Sequence, residues 1–201
     1  MKKLVLTSLL GTLFVTTLLA DGYKPGDKAS DFRLMNIDGQ YISLNDYKSA
    51  KGFVIVFTCN HCPYAQAYQE RLIAIDNQYA SKGFPVIAIN PNDPDVSPGD
   101  SFDEMQKRAR EKKYPFPYLF DETQEVYKMY GAERTPHVFL LKKEENDFIV
   151  KYIGAIDDNY KDATLVTKKY LENAIEAVLS GQSPEPSHTK AIGCSIKTKK
   201  Q

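Results

Sequence analysis

The sequence predicts an α/β fold: a mixed central sheet with helices packed on its faces and a β-hairpin at its N-terminal end. Three observations carry that prediction. Phe53-Val54-Ile55-Val56-Phe57 and Pro85-Val86-Ile87-Ala88-Ile89 are continuous apolar runs, the pattern of strands covered on both faces. Between them Ala65, Tyr68, Leu72, Ile75 and Tyr79 recur at helical spacing, and Gly83 stands where such a helix would stop. Further on, His137-Val138-Phe139-Leu140-Leu141 and Phe148-Ile149-Val150-Lys151-Tyr152-Ile153 flank a polar turn and read as an antiparallel hairpin.

Composition agrees with a single globular domain. The chain has 201 residues, 26 Lys+Arg against 26 Asp+Glu and 42% hydrophobic residues, which excludes a disordered or fibrous chain. Zero net charge, with no basic run interleaved with aromatics, leaves none of the electrostatic footprint that nucleic-acid binding requires. A chain of this size buries enough surface to fold without disulfide staples, so its three cysteines ask for another role.

In order along the chain, residues 1–20 have the layout of a secretory signal peptide: Lys2 and Lys3, an uncharged apolar stretch over 4–19, and Ala20 before Asp21. The stretch is short for a bilayer and diluted by Thr7, Ser8, Thr16 and Thr17, so cleavage after Ala20 is expected rather than anchoring. The expected site of action is the periplasm or another extracytoplasmic space, where thiols meet an oxidising supply, with no stable membrane association after cleavage. The expected division is signal peptide 1–20, one domain over 21–181, and an extended tail over 182–201 that carries Cys194.

Phe32 and Leu34, then Tyr41, Ile42 and Leu44, flank the turn dipeptide Asp38-Gly39 and give the opening hairpin. The two buried runs with the helix between them form a βαβ unit. Residues 90–100, with three prolines and a glycine, form a loop before a charged helical pattern over 102–113 that Pro115 and Pro117 end. Asp121 with Gln124 resembles a capping box opening a short helix through Val126 and Tyr130 to Gly131. After the second hairpin, Leu171, Ala174, Ile175 and Val178 share one face of a last helix stopped by Gly181, and the polar tail beyond is expected to be loosely held.

The chemistry gathers at the first strand-to-helix turn. Cys59-Asn60-His61-Cys62 follows the buried run directly, where orphan N–H groups and the helix dipole favour an anion such as a thiolate. Cys59 is expected to be the exposed member, with an acidity raised toward the range of about 3.5–7.5 known for such motifs. Cys62, one turn along, would close a ring with it. A static disulfide in so small a ring constrains little, and zinc would need a second pair, whereas only Cys194 with His61, His137 or His188 remains. No metal or cofactor is therefore expected. Thr135-Pro136 stands immediately before the third buried strand. In cis it would set backbone groups against the cysteine pair as a docking surface; in trans it would merely start the strand.

These elements, in this order, resemble the thioredoxin superfamily and imply a thioredoxin-like three-layer sandwich. The opening hairpin and long insertion are similar to its peroxiredoxin branch. Thr58-Cys59-Asn60-His61-Cys62-Pro63-Tyr64, Tyr114-Pro115-Phe116-Pro117-Tyr118-Leu119, Asp121-Glu122-Thr123-Gln124, Thr135-Pro136, Ile156-Asp157-Asp158-Asn159 and Gly193-Cys194-Ser195-Ile196-Lys197 resemble the peroxiredoxin-like, AhpC/TSA-related redoxins over about 23–197. Cys62 occupies the place of the attacking cysteine of peroxiredoxins, but Ile55 and Cys59 replace the proline and threonine that precede it there. Phe53 stands where thioredoxin has its buried acid, so proton transfer to the pair must use water, His61 or another group. A histidine inside the motif resembles the oxidising members of the superfamily, in which the reduced thiolate is stabilised.

The resulting expectation is an exported thiol–disulfide oxidoreductase in which Cys59 forms the mixed disulfide with a partner and Cys62 resolves it, supported by Thr58, His61, Thr135 and Pro136. Protein thiols or disulfides, a small-molecule thiol or a peroxide are the expected partners, and Cys194 is a possible resolving thiol. Two alternatives differ in chemistry. One is a thiol-dependent peroxidase with Cys62 oxidised to sulfenic acid; the other is a copper(I) site of the two thiolates with a histidine such as His137.

Overall fold

The computed structural model describes residues 22–200; the expected signal peptide lies outside the described residues. Ten strands and four α-helices follow in chain order. They are β1 (Lys28–Ala29), β2 (Arg33–Asn36), β3 (Tyr41–Ser43), β4 (Gly52–Phe57), α1 (Pro63–Tyr79), β5 (Val86–Asn90), α2 (Phe102–Lys112), β6 (Tyr118–Phe120), α3 (Glu125–Tyr130), β7 (Arg134–Thr135), β8 (His137–Glu144), β9 (Asp147–Gly154), α4 (Tyr170–Leu179) and β10 (Cys194–Ser195). Among the described residues, eight strands form one sheet in the order β1-β9-β8-β4-β5-β6-β2-β3, and β10 pairs with β7 apart from it. The sheet is mixed: β4, β5 and β6 run parallel, while β8 pairs antiparallel with both β4 and β9.

The continuous apolar character of β4 follows from its position. Val54 and Val56 enter one core with Tyr68, Leu72, Ile75 and Tyr79 of α1 and Leu171, Ile175 and Val178 of α4. Phe53, Ile55 and Phe57 enter the other, against Val126, Tyr127 and Tyr130 of α3 and Leu34 of the opening hairpin. Side chains alternate across a strand, so covering both faces leaves no position for a polar residue until the strand ends. The helical spacing over 65–79 is realised in α1, and its run-out through residues 80–82 ends at Gly83 with φ 97°.

Three local expectations are corrected. β1 and β6 were not legible, being two and three residues long; β6 lies between the prolines that end α2 and the turn at Asp121. The capping box at Asp121 and Gln124 does not form, because Gln124 takes a left-handed φ of 61° without capping α3, and the Asp121 carboxylate instead accepts from the Val126 and Tyr127 amides. The tail is not loosely held. Ile196 is buried, Asn92 and Gln124 grip the backbone of Lys197, and β10 makes an antiparallel pair with β7.

Candidate functional site

β4 delivers the chain to the carboxyl-terminal edge of the sheet, and Thr58 prolongs its pairing by one bond, its N–H donating to the Ile89 carbonyl at 2.9 Å. Cys59, Asn60 and His61 make the turn. Cys62 is the N-cap residue of α1, with Pro63 at the first helical position and no acidic residue in the first turn. The positive end of the helix is therefore unneutralised by its own side chains and faces a sulfur.

Three sulfurs meet there. Cys62 Sγ lies 2.6 Å from Cys194 Sγ and 3.2 Å from the Thr135 carbonyl oxygen, while Cys59 Sγ lies 3.2 Å from the Thr135 hydroxyl. All three cysteines are free thiols. The Thr135-Pro136 bond is cis, so Thr135 presents both its side chain and its carbonyl to the cysteine pair.

The acidity order is the reverse of the one expected. Hydrogen bonds from the Cys59 thiol, the Cys194 thiol and the Ala65 amide outweigh burial and hold the Cys62 thiol down at about 4. Its bond to Cys62, burial and the Asp100 carboxylate push the Cys59 thiol well up. Cys59 is also not the exposed member: it is 3% exposed and Cys62 4%. The physical reason is first the hydrogen bond in which the proton stays on Cys59 and the charge on Cys62, then the burial of Cys59. Asp100, itself buried and accepting the Asn60 and His61 amides at 2.7 and 3.0 Å, adds a negative charge that also disfavours a Cys59 thiolate. Burial and the Cys62 sulfur push the Cys194 thiol up to about 11.

Asn60 is fixed at every polar atom of its side chain. Its Nδ2 donates to the Gly99 carbonyl and its Oδ1 accepts from Tyr118 Oη at 3.1 Å. Asp100 is held in turn by Asn92 Nδ2 and Ser97 Oγ at 2.8 and 2.7 Å. Of these, Asn92, Ser97, Gly99 and Asp100 were not singled out from sequence. The available signal was a loop over 90–100 dense in Asn, Asp and Ser, residues that hydrogen-bond backbone locally and read simply as turn formers.

The remaining expected residues are scattered in role. The His61 side chain is exposed, beside Gly99. Thr58 is buried. Arg134 donates to the Gly193 carbonyl of the tail at 3.1 Å. Asp157 pins the chain after β9 onto α1 by accepting from Arg71 and from Tyr68 Oη. His137 is buried, its pKa pulled down to about 4 by burial and then by His188 and Arg134. Among the described residues, no set of three or more His, Cys, Asp and Glu side chains is arranged to hold a metal ion, so the copper site of Cys59, Cys62 and His137 is not formed.

Sheet, flanking helices and a cysteine pair at a strand-to-helix turn beside a cis-proline define a redox protein of the thioredoxin fold. The thioredoxin domain of a thiol-disulfide oxidoreductase from Bacteroides vulgatus superposes with TM-score 0.53 at 20% identity, over 66% of this chain and 91% of that one. Residues 25–156 match the AhpC/TSA family, and the chain belongs to it. An uncharacterized conserved protein from Geobacillus kaustophilus is 40% identical, with TM-score 0.81 over 89% of this chain and 94% of its own. The thiol-disulfide oxidoreductase ResA of Halalkalibacterium halodurans is 23% identical over 77% of this chain and 84% of its length.

Proposed function

We propose that this protein is an oxidoreductase acting on thiols and disulfides, that Cys62 of the Cys59–Cys62 motif is its attacking sulfur with a second cysteine to resolve it, and that it works outside the cytoplasm after loss of residues 1–20. The observation that carries the reading is the Cys62 sulfur at the amide end of α1, its acidity held at about 4 by the Cys59 and Cys194 thiols and the Ala65 amide. A thiolate, not a thiol, attacks a disulfide. Cys62 therefore leads: its sulfur bonds to one sulfur of the partner disulfide and expels the other as thiolate. A second cysteine thiolate then attacks Cys62, expels the first partner sulfur and leaves an intramolecular disulfide. Two electrons pass from the chain to the partner and two protons follow them. The steps run backwards with a partner dithiol. Thr135, touching both sulfurs, holds the pair in register, and the ResA relative carries the same activity in its name. Among the described residues no helix is long and apolar enough to cross a membrane.

The test is reduction of insulin disulfides with dithiothreitol as electron donor, or oxidation of a reduced peptide with oxidised glutathione as acceptor, catalysed by chain 21–201. Wild type should turn over, Cys62→Ser should lose all activity, and full turnover by Cys62→Ser overturns the assignment. The acid thiol at the peroxidatic place also favours a second reading, a thiol-dependent peroxidase; consumption of hydrogen peroxide matched to thiol donor, lost in Cys62→Ser, would select it.

A further inference from the structure

The C-terminal tail is built into the cysteine cluster rather than draped over it. β10 pairs antiparallel with β7, Cys194 opposite Thr135 and Ser195 opposite Arg134. On one side of Cys194, the Gly193 carbonyl accepts from Arg134 Nη1 at 3.1 Å. On the other, Ile196 is buried in the core under α3, and Lys197 donates its N–H to Asn92 Oδ1 at 2.8 Å while its carbonyl accepts from the Asp93 amide and Gln124 Nε2 at 2.8 and 2.9 Å. Lys199 adds a bond from its amide to Gln124 Oε1. Gly193 allows the approach: a Cβ there would stand 2.2 Å from the Thr135 carbonyl oxygen and 3.1 Å from Pro136 N. An extended peptide added to a strand edge is a common way for one chain to recognise another, backbone bonds giving affinity and side-chain pockets giving register. Here the chain supplies that peptide itself, and its register sets one sulfur against Cys62.

The geometry points to Cys194, not Cys59, as the sulfur that resolves the mixed disulfide on Cys62, with residues 193–197 acting as a resident peptide on the β7 edge that delivers it. This rests on the thiol–disulfide exchange proposed above and names its second thiol. Cys194 Sγ lies 2.6 Å from Cys62 Sγ, whereas Cys59 Sγ is engaged with the Thr135 hydroxyl. Two of the causes that raise the Cys194 thiol are the hydrogen bond to Cys62 and its charge, and both vanish once Cys62 is bonded to a partner sulfur, while Lys197 continues to favour the thiolate. Cys59 is likewise released from its bond to Cys62, and burial and the Asp100 carboxylate remain on both thiols, so the difference after that step is Lys197, which acts on Cys194. With β10 seated Cys62 is 4% exposed, so the incoming disulfide needs the strand to give way, and its return brings Cys194. The step balances: Cys194 gives its proton to the partner thiolate already expelled, its sulfur bonds to Cys62 Sγ, the second partner sulfur leaves as thiolate, and a Cys62–Cys194 disulfide remains.

Oxidised glutathione added to reduced chain 21–201, with acid quenching, alkylation and peptide mass spectrometry, tests this. Wild type should end as a Cys62–Cys194 disulfide with Cys59 alkylated, and Cys59→Ser, although slower in the first attack for want of the Cys59 hydrogen bond to Cys62, should still resolve its glutathione adduct to the same product. Gly193→Ala, which unseats β10 with all three thiols present, should take glutathione onto Cys62 at least as fast as wild type and resolve it at least tenfold more slowly. A wild-type disulfide mapped to Cys59 and Cys62 with Cys194 alkylated, or a glutathione adduct that persists on Cys62 in Cys59→Ser, overturns the inference and leaves the exchange reading standing. A wild-type chain that never takes glutathione onto any sulfur overturns both.

Discussion

Cys62 owes its acidity to where it sits rather than to any basic neighbour. Hydrogen bonding with the Cys59 thiol favours charge on its sulfur most, the Cys194 thiol and the Ala65 amide add to it, and no acid in the first turn of α1 opposes it. A titration of thiolate absorbance near 240 nm should therefore show one step near pH 4 in the reduced protein, absent from Cys62→Ser and retained in Asn60→Ala. A first step at the free-thiol value of about 8.5 would refute this. Thr135 acts from the other side with two groups: its hydroxyl on Cys59 and its carbonyl on Cys62. That the carbonyl faces a sulfur is consistent with a thiol donor there until the proton leaves.

At the scale of elements, the segment between β5 and α2 is the partner that makes the cysteine turn asymmetric. Asp100 accepts two amides of the turn and is held by Asn92 and Ser97, and Asn90 Nδ2 donates to its carbonyl at 2.7 Å. Asp100→Asn keeps the shape but sets an amide nitrogen or a weaker oxygen against those donors. It should lower stability by about 1–3 kcal/mol in urea unfolding, since buried donors lose their acceptor, and should bring the Cys59 titration down toward the free-thiol value. Unchanged stability and an unmoved Cys59 would show that Asp100 does not govern the turn. The same segment reaches the tail through Asn92 and Asp93, so the loop that positions Cys59 also seats the strand that carries Cys194.

For the whole molecule, two buried groups tie stability to pH in the same direction. The folded dithiol keeps the Cys62 sulfur unprotonated down to about 4, whereas an unfolded cysteine binds its proton below about 8.5. His137 stays neutral in the fold down to about 4, against about 6.5 for an unfolded histidine. In both cases the unfolded chain takes up the proton first, so stability rises with pH across these windows and is lost as pH falls through them. The urea midpoint of the reduced protein should fall steadily from pH 8.5 to pH 4, and Cys62→Ser should be flat above pH 6.5. An equally flat wild type over that upper range would contradict the assignment.

Much of this was legible in the sequence because burial writes a periodic record. β4 and β5 are covered on both faces and read as unbroken apolar runs, and α1 and α4 each bury one stripe. The cysteine pair and Thr135-Pro136 were legible as types at fixed positions. The order of acidity was not, because it depends on how the two sulfurs share a hydrogen bond, on burial and on the charge of Asp100, 41 positions beyond Cys59, none of which leaves a local pattern. The seat of Cys194 was equally hidden: two residues of pairing with β7 carry no period, and a polar, proline-bearing tail reads as slack chain.

A sulfur that is content to carry charge at the end of α1 is a good leaving group as well as a good attacker. On the proposed exchange, a disulfide made on Cys62 should accordingly open to thiols faster than an ordinary structural cystine, as the rate of its reduction by glutathione would show.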